Sequence, residues 1–143
     1  MHHKVNVDLG KRSYDIEIAA GLLKNASSFL GPILNRPRVT IITDDNVGPH
    51  YLDVLVGALS NEGIESDALS LPAGEATKSW PFLIKSIEWI LEKKIERGDI
   101  IIALGGGVIG DLVGFVAATV LRGLRFVQIP TSLLAQVDSS VGG

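Results

Sequence analysis

The sequence predicts an α/β fold: a Rossmann-like open parallel sheet with flanking helices, preceded by an N-terminal β-hairpin. Three observations carry this reading. Apolar runs too short for helices, at 38–43 and 100–104, alternate with segments whose apolar residues recur at helical spacing. The same runs are apolar almost throughout, as strands covered on both faces are. Finally, Leu104-Gly105-Gly106-Gly107-Val108-Ile109-Gly110-Asp111 joins a strand-like run to a helix-compatible one, which makes it a glycine-rich turn.

Taken in order, Val5, Val7 and Leu9 alternate with polar residues, as do Tyr14, Ile16 and Ile18, and 10–13 lies between them as a turn. This is the pattern of a hairpin. A short helix is expected over 22–30, ended by Gly31-Pro32. The β-branched run 38–43 is the first strand of the parallel sheet, stopped by Asp44-Asp45-Asn46. Tyr51, Leu52, Leu55, Val56 and Leu59 then mark a helix, with Asn61-Glu62-Gly63 as its stop.

A weaker strand follows at 64–71, and the residues 72–78 form a loop. Ser79 is placed to cap the next helix and Pro81 is tolerated in its first turn. Its buried stripe is predicted as Leu83, Ile84, Ile87, Ile90, Leu91 and Ile95, with Gly98 as its end. The strand 100–104, the glycine turn, a helix over 112–121 and a strand over 126–129 complete another βαβ unit. That helix is apolar almost all round, the pattern of a buried element or a subunit contact. A final helix begins near Leu133, and the chain stops at Val141-Gly142-Gly143 with no cap or closing element, which reads as a truncation.

Composition narrows the function. With 143 residues, 46% of them hydrophobic, there is apolar material for one substantial core, so a single domain over 1–143 is expected. A net charge of −3 without any Lys/Arg cluster argues against nucleic-acid binding. No cysteine is present, which excludes disulfides and thiolate metal sites and fits a reducing cytoplasm. The N-terminus lacks an apolar signal core, and no apolar run is long enough to span a bilayer, so no membrane partner is expected. His2 and His3 read as a mobile end and His50 as a surface residue.

Gly105, Gly107 and Gly110 satisfy G-x-G-x-x-G in a strand–turn–helix context. Glycines leave main-chain N–H groups uncovered at a helix N-terminus, where an anion is favoured. Two features depart from the usual dinucleotide fingerprint. The turn follows a middle strand, and the acid expected about twenty residues further on falls in an apolar run. Glycines serving only close helix–sheet packing remain an alternative.

Asp44 and Asn46 offer polar groups at another strand end, although Asp44-Asp45-Asn46 taken singly reads as a helix cap. Glu75, Lys78, Asp111 and Thr131 also follow strand ends, and carboxyl ends of parallel strands face one crevice. Together they point to a nucleotide site. Arg122, ending the apolar helix, suits either the helix dipole or an anion, and Asp138 either solvent or a site. Residue types and spacing alone reach a dinucleotide-binding half-site and no reaction.

The motifs Pro72-Ala73-Gly74-Glu75 with Lys78, the triple-glycine turn to Asp111, Arg122-Gly123, and Ile129-Pro130-Thr131-Ser132 through Gln136-Val137-Asp138-Ser139-Ser140-Val141-Gly142-Gly143 resemble the N-terminal half of 3-dehydroquinate synthases. The resemblance runs along essentially the whole chain. It implies a sugar-phosphate cyclase of the shikimate pathway that turns 3-deoxy-D-arabino-heptulosonate 7-phosphate into 3-dehydroquinate and phosphate, using NAD catalytically; the alternatives are another sugar-phosphate cyclase of the inosose or valiolone synthase type, or a non-catalytic nucleotide-binding module. It further implies that Asp44, Asn46, Gly74, Glu75 and Lys78 lie by the adenosine end of NAD. Gly105, Gly106, Gly107, Val108, Ile109 and Gly110 would border the pyrophosphate, with Gly106 to Val108 as its cradle. Asp111 would approach the nicotinamide ribose, and Thr131 and Ser132 would line the same site.

Ser132 departs from a threonine common at that position but keeps the hydroxyl. Asp138 and Arg122 would be catalytic, Arg122 reaching substrate across a homodimer interface. The divalent metal of such enzymes, zinc or cobalt, takes its ligands from a C-terminal helical domain, so no residue here is assigned to it. The 143-residue chain alone is then expected to be inert.

Overall fold

The computed structural model describes residues 1–141, so Gly142 and Gly143, which close the last motif, lie outside the described residues. Two strands, β1 (His2–Val7) and β2 (Tyr14–Ala19), form the expected antiparallel hairpin, with Val5 opposite Ile16 and Val7 opposite Tyr14. His2 and His3 belong to β1, and His2 Nε2 lies 2.6 Å from Glu17 Oε2, so this end is a paired strand and not a loose tail.

The body is a four-stranded sheet. Its strands are β3 (Arg38–Asp44), β4 (Glu65–Leu71), β5 (Ile100–Gly105) and β6 (Arg125–Pro130), in spatial order β4-β3-β5-β6 and all parallel. Among the described residues five α-helices accompany them: α1 (Ala26–Leu30), α2 (Gly48–Ser60), α3 (Trp80–Glu92), α4 (Gly107–Thr119) and α5 (Leu133–Val137). Strand order reverses between β3 and β5: from β3 the chain winds outward to β4, then returns past β3 and continues to β6. The crevice outside the carboxyl ends of strands that flank such a reversal is the ordinary ligand position in open α/β sheets.

Period-two alternation along the central strands divides the core in two. Ile42, Ile101 and Ala103 pack with Leu83 and Ile90 of α3 and Leu112, Val113 and Val116 of α4. Val39, Ile41, Ile100, Ile102 and Leu104 face the other way, against Leu30 of α1 and Leu55 and Leu59 of α2. Full burial of an isoleucine stabilises by about 1.5–3 kcal/mol, which is why these two strands dominate. Thr40 is the exception within β3: its Oγ1 is buried without a hydrogen-bond partner among the described residues.

Several predicted boundaries shift. The helix expected over 22–30 is a 3-10 turn followed by α1, and the chain passes through Gly31-Pro32 in another 3-10 turn. Ser79 occupies the N-cap of α3, but its side chain makes no capping bond. That helix stops at Glu92, well short of Gly98, because Lys94 turns left-handed at φ +54. Its buried stripe is Leu83, Ser86 and Ile90, while Ile84 and Leu91 are each 52% exposed on the flank beside it.

The helix expected from residue 112 starts at Gly107, so most of the motif's glycines belong to its first turns. Nor is α4 buried all round, since Asp111, Phe115 and Ala118 form an exposed stripe. Among the described residues no helix is long and apolar enough to cross a membrane.

Candidate functional site

Parallel register brings four strand ends to one edge: Asp44 opposite Leu71, and Gly105 opposite Pro130. At the centre of this edge stands the N-terminus of α4. Among the described residues no side chain caps it. Its first internal bond runs from the Gly110 N–H to the Gly106 carbonyl, 3.0 Å, which leaves the amides of Gly107, Val108 and Ile109 for an external acceptor. These amides and the helix dipole suit a phosphate, so the residues present fit the pyrophosphate of a dinucleotide.

The glycines answer to packing as well. A Cβ on Gly105 would stand 2.8 Å from Ile109 Cβ, and one on Gly110 would stand 3.1 Å from Gln128 Oε1. On Gly107 it would meet Ser139 Oγ at 3.2 Å, and on Gly106 Ser132 Oγ at 3.4 Å. The two readings of the motif are thus compatible: close packing sets the depth of the helix N-terminus that presents the amides.

Around this turn the structure gathers most of the predicted residues. Lys78 Nζ pairs with Asp111 Oδ2 at 2.9 Å and lies 3.6 Å from Glu75 Oε2, joining the loop after β4 to α4. The Asp111 carboxylate beside it raises the Lys78 ammonium above its ordinary value, with Glu75 adding to the effect. Gly74 opens that loop at φ +107, where a side chain would be strained.

Asp44 is buried, and its Oδ1 accepts the N–H groups of Asn46 (2.9 Å) and Val47 (2.8 Å). These bonds close the turn before α2, whose N-cap is Val47 and receives no side-chain bond, so the expected helix cap at Asp44-Asp45-Asn46 does not form, and Asn46 is exposed. Ser132 is in use as the N-cap of α5, accepting the Ala135 N–H at 3.3 Å, and the Thr131 N–H donates to the Gly105 carbonyl at 3.0 Å.

Asp138 ends α5 with its carboxylate exposed, in the segment whose next residue, Ser139, approaches Gly107. Gln128 and Tyr14 hold that segment in place. Gln128 Nε2 donates to the Ser140 carbonyl at 2.8 Å and Tyr14 Oη to the Val141 carbonyl at 3.2 Å. Sequence reasoning passed over both; a lone glutamine inside the apolar run of β6 was the available signal.

Arg122 is not brought to this edge. It follows α4, whose 13 residues span about 20 Å, and so sits at the opposite edge of the sheet beside Glu96 and Arg97. It also carries φ +65 next to Leu121 at φ +49, a strained pair of the kind functional turns retain. Among the described residues no three His, Cys, Asp or Glu side chains are grouped to hold a metal ion.

The profile of the family described as 3-dehydroquinate synthase N-terminal matches residues 68–143. The chain is 59% identical over 139 residues to the 3-dehydroquinate synthase of Roseobacter denitrificans, covering 97% of this chain and 38% of that protein. The 3-dehydroquinate synthase of a Ruegeria species is 56% identical over all 143 residues, again 38% of its length. The chain thus spans little more than a third of these relatives.

Among solved structures, 2-deoxy-scyllo-inosose synthase complexed with carbaglucose-6-phosphate, NAD+ and Co2+ superposes with a TM-score of 0.87 at 20% identity, over 98% of this chain and 38% of that one. The 2-epi-5-epi-valiolone synthase of Streptomyces hygroscopicus, with NAD+ and Zn2+ bound, gives 0.80 at 28% identity, over 93% and 36%. An iron-containing alcohol dehydrogenase shares the fold more loosely, with a TM-score of 0.64 at 20% identity over 78% of this chain and 34% of that one. On the strength of the profile match and the relatives, the chain belongs to the 3-dehydroquinate synthase family.

Proposed function

We propose that this chain is the NAD-holding part of a cytoplasmic 3-dehydroquinate synthase, acting on 3-deoxy-D-arabino-heptulosonate 7-phosphate. The observation that carries the reading is the uncapped N-terminus of α4 at the strand-order reversal, with Lys78, Glu75 and Asp111 assembled beside it. NAD, when bound, supplies reversible hydride exchange. The chain's own residues bind and orient it. The amides of Gly107 and Val108 receive the pyrophosphate, Asp111 offers a carboxylate to a ribose hydroxyl, and Asp44, Asn46 and Glu75 serve the adenosine end. Thr131 and Ser132 line the neighbouring wall, and Asp138 lies where the nicotinamide would meet substrate. A metal would take its ligands from the part of the longer relatives that this chain does not span.

Calorimetry tests the placement. NAD binding is expected to weaken about tenfold or more in Asp111→Ala, the loss of a hydrogen bond to a charged group. Gly107→Val should weaken it through the crowding at Ser139. Unchanged affinity in both variants rejects the site. The 143-residue chain should release no phosphate from the heptulosonate phosphate, and measurable release rejects its proposed inertness.

A homodimer is part of the same reading. Arg122 lies about a helix length from the glycine turn, and a second copy would bring it to a site that its own crevice does not reach. Sedimentation velocity of a full-length enzyme carrying this segment should show a dimer; a strict monomer with full activity would contradict it.

A further inference from the structure

A single peptide unit governs how the loop after β4 meets the site. The Ala73 N–H donates to Asp45 Oδ1 at 2.9 Å, and the carbonyl of the same peptide, that of Pro72, accepts from Thr77 Oγ1. The plane is therefore gripped at both poles by side chains from opposite directions. Asp45 is itself anchored, because its N–H donates to the Leu71 carbonyl at 2.9 Å, continuing the β3–β4 register beyond Asp44. Thr77 is 1% exposed and its N–H donates to the Gly74 carbonyl at 3.1 Å, so the far pole is fixed too.

Immediately beyond the gripped plane the chain turns at Gly74 and delivers Glu75 and Lys78 to Asp111. Rotation of this plane would swing both side chains away from α4. A peptide whose two polar groups are both bonded, one to the exposed Asp45 carboxylate and one to the buried Thr77 hydroxyl, resists that rotation before any ligand arrives.

We infer that Asp45 and Thr77 are positioning residues for the dinucleotide site, holding the Pro72–Ala73 peptide so that Glu75 and Lys78 are presented to the ligand in advance. The inference rests on the NAD reading above. Asp45 acts as a hydrogen-bond acceptor and Thr77 as a donor, and neither needs to touch the ligand. Fixing a binding loop ahead of time removes an ordering cost from association.

The test is NAD affinity by calorimetry on the 143-residue chain, with thermal unfolding and exchange of the Ala73 amide measured alongside. Asp45→Ala and Thr77→Val should each weaken NAD binding by about fivefold, the equivalent of one hydrogen bond. Asp45→Asn, which keeps an acceptor oxygen, and Thr77→Ser, which keeps the hydroxyl, should restore it. In a Lys78→Ala background, Asp45→Ala should add little, because both act through the same loop. Faster exchange at Ala73 should accompany the weakened variants, measured at a temperature where each remains folded.

Wild-type affinity in Asp45→Ala and Thr77→Val overturns the positioning role and leaves the NAD reading standing. An Asp45→Asn variant as weak as Asp45→Ala also overturns it, since the charge would then be contacting ligand directly. Absence of NAD binding by the unsubstituted chain overturns the NAD reading and this inference together.

Discussion

Gly105→Ala is expected to lower stability by about 1–3 kcal/mol and to weaken NAD binding at the same time. Gly105 ends β5 with its backbone against the first turn of α4, where an added methyl would stand 2.8 Å from Ile109 Cβ and 3.0 Å and 3.1 Å from the two Cγ atoms. Ile109 is 1% exposed and β-branched, so its side chain has one comfortable rotamer in a helix and no room to leave it. Relief requires α4 to move outward, carrying the amides of Gly107 and Val108 from their place between the strand ends.

Gly57→Ala is the matched control. It lies inside α2 with nothing within 4 Å of an added Cβ, and should stabilise by about 0.5–1 kcal/mol through helix propensity alone. Denaturant midpoints with unchanged m-values distinguish the two. A Gly105→Ala midpoint equal to that of the unsubstituted chain would show that α4 can yield and that close packing does not set the cradle's depth.

What could be foreseen from sequence follows the range of the forces involved. The central strands were legible because both faces of β3 and β5 are covered, and burial writes itself as unbroken apolar runs. The start of α4 was not, because glycine is a poor helix former and Gly107 and Gly110 sit in the first turns for tertiary reasons, against Ser139 and Gln128. The end of α3 depends on Lys94 adopting a left-handed conformation, which glycine or asparagine would have signalled and lysine does not.

The site divides similarly. That Lys78, Glu75 and Asp111 would share an edge follows from parallel topology, a rule that can be applied to a predicted element string. That Asp45 and Thr77 hold one peptide does not, since a side chain bonding to backbone leaves no pattern in the residues it serves. Arg122 shows the converse: its type and motif suggested a ligand, but the length of α4 removes it from this chain's own crevice.

Asp99 offers the second large effect, at the edge of the sheet away from the glycine turn. Its side chain is buried and accepts the Arg36 Nε–H at 2.8 Å, a further bond from Arg36 Nη2, and the Glu96 N–H at 2.9 Å. These bonds tie the residue pair before β3 to the turn before β5, just where the chain leaves the strained Lys94. Asp99→Ala leaves the Glu96 amide and the guanidinium without their acceptor and is expected to cost about 2–3 kcal/mol at neutral pH.

The pH dependence carries a definite sign. The Arg36 hydrogen bonds hold the Asp99 carboxyl below its ordinary value near 3.8, burial opposing them. Because the folded state holds this proton more weakly than the unfolded state, the stabilisation is complete above that ordinary value. It disappears as the pH falls through the folded one. The stability gap between the unsubstituted chain and Asp99→Ala should therefore be constant from neutral pH to about pH 5 and shrink below about pH 4. A gap already closing near pH 6 would assign the effect to another group, and one persisting under full protonation would make it packing rather than charge. NAD affinity should not change in Asp99→Ala at a temperature where the variant is folded, because this clamp sets the strand ends opposite the crevice and leaves the glycine turn untouched.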